Sequence, residues 1–148
     1  MKLSLFSDYS LRVLMYAALK GGPFLLDEVT EAYGISRHHL AKVVNRLAKL
    51  GYLGTLRGRG GGIRLAQAAG GIRIGALLRN TEDQPVFVEC FNPVTNTCPV
   101  AGSCRLQGIL GEALREFYAS LDRYTLQDLV TGPHREAMGN ILLGTPQL

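Results

Sequence analysis

Cys90, Cys98 and Cys104 are the only three cysteines in the 148 residues, and all lie within the stretch VECFNPVTNTCPVAGSCRLQ. A structural disulfide uses cysteines in pairs, a thiol nucleophile needs one with a base beside it, and a metal centre usually takes four ligands. Three thiolates are soft ligands that suit zinc or an iron-sulfur cluster. Seven residues separate the first two and five the last two, and His134 is remote, so the Cys-x2-Cys pattern of a zinc finger is absent. No histidine base for a thiol enzyme is identifiable near them. Asn92, Pro93, Asn96, Pro99 and Gly102 are turn formers that let the loop fold back around a centre. Cys104 falls at the expected start of a long helix, whose dipole stabilises a thiolate there. A structural zinc-thiolate site, a thiol oxidoreductase and three unrelated cysteines are the alternatives to a cluster.

The length suits one modest domain, or a small domain with an appended arm, and 47% hydrophobic residues exclude wholesale disorder. No apolar run is long enough to span a membrane, and Asp8 and Arg12 interrupt the stretch where a signal peptide would be apolar. The expected location is the cytoplasm, whose reducing conditions favour metal or redox chemistry over disulfides. Charge is uneven. Residues 1–75 hold eleven Lys and Arg against four Asp and Glu, a net of +7, whereas residues 76–148 hold five against eight, a net of −3. The basic half is suited to a polyanion such as DNA.

Apolar residues Leu11, Leu14, Met15, Ala18 and Leu19 recur at helical spacing over Ser7 to Lys20, and Gly21-Gly22-Pro23 stops that helix. A second helix is expected over Leu26 to Tyr33, then a turn at Gly34, and Ser36 caps a third helix from Arg37 to about Leu50. Leu40, Val43, Val44, Leu47 and Leu50 form the apolar stripe of this third helix. Two helices joined by a glycine-bearing turn make a helix-turn-helix. Two short apolar stretches, Tyr52 to Leu56 and Ile63 to Leu65, then flank a glycine-rich turn carrying Arg57 and Arg59, which reads as a hairpin with a basic tip. The candidate DNA contacts are the cap Ser36, then Arg37, His38, His39 and Lys42 toward base edges, Arg46 and Lys49 toward phosphate, and Arg57 and Arg59 in a minor groove or on phosphates. A short helix is expected around Ile72 to Asn80, followed by an acidic, proline-marked link to the cysteine loop. The long helix after Cys104 carries a broad apolar face that it cannot bury alone, so it packs on its own domain or on a second copy. The tail after Gly132 reads equally as a last packed helix or a frayed end.

LFSDYSLRVLMYAA, ISRHHLAKVVNRLAKLGYLGTLRGRGGGIRLA and VECFNPVTNTCPVAGSCRLQGILGEALREFYASL together resemble the Rrf-type winged-helix iron-sulfur transcription regulators, in the NsrR-like branch of nitric-oxide-sensing repressors. The resemblance covers about residues 1–130. It implies a mainly α fold: a winged helix-turn-helix over 1–80, a cysteine-rich cluster-binding loop over 81–104, and a long dimerisation helix with a C-terminal segment over 105–148. It also implies a homodimer that binds palindromic operator DNA and releases it when nitric oxide attacks the cluster. Cys90, Cys98 and Cys104 are then the cluster ligands, with Asp8 of the other subunit completing the site. A 4Fe-4S cluster is preferred over a 2Fe-2S one. In the sister IscR-like branch a histidine three residues beyond the last cysteine helps hold the cluster, and here that place is Gln107. Another iron-sulfur or redox-responsive regulator of the same family, serving cluster biogenesis or iron sensing, is the alternative function.

Overall fold

The computed structural model describes residues 2–82 and 86–144. Within the link before the cysteine loop, residues 83–85 lie outside the described residues, as does the end of the tail, 145–148. Helix α1 spans Leu5–Lys20, beginning two residues before the apolar spacing predicts. Ser4 is its cap, accepting the Ser7 N–H at 3.1 Å. Ser7 is therefore free for another task and is buried with its hydroxyl 2.8 Å from that of Thr81. Gly21, at φ +68°, ends the helix in a conformation that residues with a side chain rarely take.

Helix α2 (Leu26–Tyr33) ends at Gly34, and Ser36 caps α3 (Arg37–Lys49) through the His39 N–H. Val13, Leu14, Val29, Leu40, Val43 and Leu47 interlock these three helices into the core. Strands β1 (Leu53–Leu56) and β2 (Gly62–Leu65) pair antiparallel, with Leu53 opposite Leu65 and Leu56 opposite Gly62. Phe24 forms a single-residue bridge to β2, exchanging two backbone hydrogen bonds of 2.8 Å with Ile63, while its ring is buried against Tyr16. Gly62 makes this join possible, because a Cβ there would lie 2.7 Å from the Phe24 carbonyl oxygen. The hairpin is thus a wing bonded to the helical core.

Helix α4 (Ile74–Thr81) leads through the link and the cysteine loop to α5 (Arg105–Leu121). At the far end of α5 the chain turns back through α6 (Leu126–Leu129) and α7 (Pro133–Leu142). The Leu126 N–H donates to the Ile72 carbonyl at 2.8 Å and the Ile74 N–H to the Tyr124 carbonyl at 3.0 Å. Leu126 and Val130 are fully buried, Leu126 within the main core cluster. Helix α7 starts with Pro133 in its first turn and packs on α1 and α2, so the tail is a packed helix as far as Leu142. Helix α5 spans seventeen residues and buries none of them, with Leu106 58% and Ile109 51% exposed. Among the described residues no helix is long and apolar enough to cross a membrane.

Candidate functional site

The cap at Ser36 fixes where α3 begins, and burial of Leu40, Val43 and Leu47 fixes which way it faces. Arg37, His38, His39, Lys42 and Arg46 are all exposed on the opposite side. Arg37 is engaged in a surface ion pair with Asp27 of α2 at 3.0 Å, which the sequence did not suggest. Arg57 and Arg59 are exposed in the turn between β1 and β2, where Gly58 and Gly60 take positive φ. The fold therefore presents the exposed basic side of one capped helix and one exposed basic wing tip.

Asp8 lies in the first turn of α1, and its carboxylate is held by Arg12 one turn later, with Nε–Oδ1 at 3.2 Å and Nη2–Oδ2 at 2.9 Å. These hydrogen bonds raise the Arg12 pKa above the ordinary arginine value. The Arg12 guanidinium is also 5.8 Å from the ring centroids of both Tyr9 and Tyr33, and the Tyr9 ring is 6.4 Å from that of His39 in α3. A chain of contacts thus runs from Asp8 to the helix-turn-helix.

All three cysteines are free and half-buried in the loop. Cys90 sits in a 3-10 turn (Glu89–Phe91), and Cys104 occupies the N-cap position of α5. Asn92 and Asn96 build the turns that the sequence predicts, their side-chain oxygens accepting the N–H groups of Val94 at 3.0 Å and Cys98 at 2.9 Å. The Glu89 carboxylate accepts both the N–H and the hydroxyl of Thr97, at 2.8 and 2.6 Å, and the Thr97 hydroxyl and then its N–H hold that carboxyl below its usual pKa. The Gln107 amide donates to the Cys90 carbonyl at 2.9 Å and accepts from the Gly102 N–H at 3.2 Å. Sequence reasoning noticed Gln107 only as a residue that is not histidine, and it passed over Glu89 and Thr97.

Among the described residues no three His, Cys, Asp or Glu side chains of one chain converge as on a single metal ion. A cluster makes a different demand, since its ligands bind different irons and need not meet at a point. Three unpaired soft thiols in one loop fit that group, and the single chain leaves Asp8 on a separate element, occupied by Arg12.

The Rrf2 family, described as iron-dependent transcriptional regulators, matches residues 3–132. The HTH-type transcriptional regulator NsrR of Halalkalibacterium halodurans is 49% identical over 133 residues, covering 88% of this chain and 91% of that protein. NsrR of Bacillus subtilis is 48% identical over 132 residues, covering 88% and 90%. Among solved structures, CymR, the global cysteine regulator of B. subtilis, superposes with a TM-score of 0.65 at 27% identity over 87% of this chain and 95% of its own. IscR of T. potens superposes with a TM-score of 0.69 at 22% identity, over 93% and 88%, a likeness of fold.

Proposed function

The chain belongs to the Rrf2 family of iron-dependent transcriptional regulators, and from that premise we propose that it is a homodimeric repressor that holds an iron-sulfur cluster and leaves its operator in response to nitric oxide. The observation that carries this reading is the pairing of three free thiols in one loop with an adjoining helix that buries none of its own residues. The NsrR name of the relatives, which are 43–49% identical, favours the nitric-oxide branch.

Cys90, Cys98 and Cys104 would hold the cluster, and Asp8 of the other subunit would supply the remaining ligand. When bound, the cluster would supply a nitric-oxide-reactive centre, most open at the iron carried by an oxygen ligand. The rest of the device is made of the chain's own side chains. On one broad face of α5, Leu106 and Ile109 are exposed, and Leu110, Leu114 and Phe117 line a groove of about 530 Å³ shared with Leu3, Val86 and Phe87. A broad apolar face that one chain leaves uncovered suits a symmetric pairing with a second copy, which presents two α3 helices to a palindrome. The Asp8–Arg12 pair then becomes a junction. If Asp8 turns to the partner's loop, Arg12 loses its carboxylate and keeps Tyr9 and Tyr33 as neighbours, and Tyr9 adjoins His39 of α3. A change at the loop thereby alters the seat of the recognition helix, and because both half-sites must be met in register, a small shift weakens specific binding.

The test uses DNA selected from a random duplex pool by anaerobically isolated protein. Affinity is then measured at fixed salt for cluster-loaded, cluster-free and nitric-oxide-treated samples. Tight binding by the loaded form alone is expected, and equal affinities in all three would sink the sensing claim.

A further inference from the structure

Resting on the reading that the three cysteines hold the cluster, we infer that Gln107, together with the Glu89–Thr97 pair, positions the loop for it in advance, with Gln107 acting as a clasp and not as a ligand. The placement of the hydrogen bonds carries this. Glu89 immediately precedes Cys90 and Thr97 immediately precedes Cys98, so the carboxylate that accepts both donors of Thr97 ties the approach to one cysteine to the approach to the next. Gln107 stands three residues after Cys104, in the first turn of α5, and its two amide ends serve two separate parts of the loop. Nε2 donates to the carbonyl of Cys90 itself, at 2.9 Å, and Oε1 accepts the N–H of Gly102, which takes a φ of +87°. Cys90 is thereby joined to the helix that Cys104 caps, and Asn96 fixes the N–H of Cys98. Each cysteine has a side-chain tie on its own backbone or close beside it.

A loop of this length with only one short 3-10 turn carries a large ordering entropy, and the ties remove part of it before any ligand bond forms. The chemistry of glutamine also argues against ligation. The amide nitrogen has no lone pair to offer iron, and Oε1 is a neutral, hard donor turned toward the Gly102 N–H. The reach of glutamine lets one side chain span Cys90 and Gly102, which the rigid ring of a histidine at this place would not do in the same way.

The experiment takes full-length protein, reconstituted anaerobically, as wild type, Gln107→Ala, Gln107→Glu, Thr97→Val and Thr97→Ser. Four quantities are read: the cluster's absorption and Mössbauer spectra, the rate at which an iron chelator strips it, amide hydrogen exchange at Thr97 and Gly102 in cluster-free protein, and the melting temperature of that protein. Gln107→Ala and Thr97→Val are expected to keep the wild-type spectra and melting temperature while losing the cluster about tenfold faster. Exchange should quicken at Gly102 in the first variant and at Thr97 in the second. Gln107→Glu retains the acceptor for Gly102 but not the donor to Cys90 and falls between. Thr97→Ser retains the hydroxyl and stays at the wild-type rate. Wild-type stripping and exchange in Gln107→Ala overturn the clasp, and altered spectra in that variant overturn it in favour of a ligand. Should the wild type take up no cluster, the cluster reading fails by itself, while amide exchange in the cluster-free chain still supports or overturns the clasp.

Discussion

Asp8 shows how little a side chain's type says about its partner. Both carboxylate oxygens are bound by Arg12, yet the two side chains are 39% and 38% exposed. An exposed pair spaced i, i+4 on a helix is worth only about 0.3–0.5 kcal/mol, weak enough to be given up for a bond to iron. Asp8→Ala is therefore expected to lower the stability of the cluster-free protein by no more than about 0.5 kcal/mol in urea denaturation, while the reconstituted protein loses its cluster to a chelator markedly faster. An unchanged stripping rate would leave Asp8 with the ion pair as its whole role. On the DNA face, two lysine and arginine deletions should differ in kind. Arg57→Ala at the wing tip is expected to weaken all sequences alike and to reduce the slope of log K against log salt by about one. Lys42→Ala on α3 should instead cost about 1–3 kcal/mol at particular base pairs of the selected site and relax specificity there. A binding titration over several salt concentrations, on selected and scrambled duplexes, separates them.

At the scale of elements, the contact between α4 and α5 decides how the cysteine loop is carried. Gly75 lies against the far end of α5, where a Cβ would sit 2.6 Å from the Tyr118 carbonyl oxygen and overlap the Asp122 carboxylate. Gly75→Ala should force the helices apart and destabilise the chain by about 1–3 kcal/mol, measured by thermal unfolding. Beside it Arg79 bonds Asp122 at 3.1 and 2.6 Å and lies 4.7 Å over the Tyr118 ring. The Arg79 hydrogen bonds depress the Asp122 pKa, so the pair's contribution is complete above the unfolded aspartate value of about 4 and is lost as pH falls through the lower folded value. Urea midpoints measured from neutral pH down into this acid range should fall, and Asp122→Asn should shallow that fall. The helix-turn-helix and wing were legible because the stripe on α3, Gly34 and the paired apolar stretches are local patterns. Helix α6 was not, because four residues are too few to show a period and the partners of Leu126 lie in segments remote along the chain. The Gln107 bond to Cys90 spans seventeen positions, and no spacing rule reaches so far. The Arg12 bond to Asp8 obeys the i, i+4 rule and could have been read.

For the whole molecule, the proposed dimer rests on the exposed apolar face of α5. Ile109→Glu places a charge on that face at a side chain that is already half exposed, so the fold should survive it. Sedimentation should show the wild type as a dimer and Ile109→Glu as a monomer, with operator affinity lost and the melting temperature of the winged core retained. A variant that remains dimeric would move the interface away from α5. The return of the chain after α5 has a consequence for synthesis. Helix α6, which brings the buried Leu126 into the core beside α1 and the short turn after the wing, leaves the ribosome after Cys90, Cys98 and Cys104. A nascent chain therefore cannot finish its DNA-binding half until the cysteine loop has already been made. Premature termination inside the loop yields an unfinished fold, not an unregulated repressor, and quality control can remove it before it reaches a promoter.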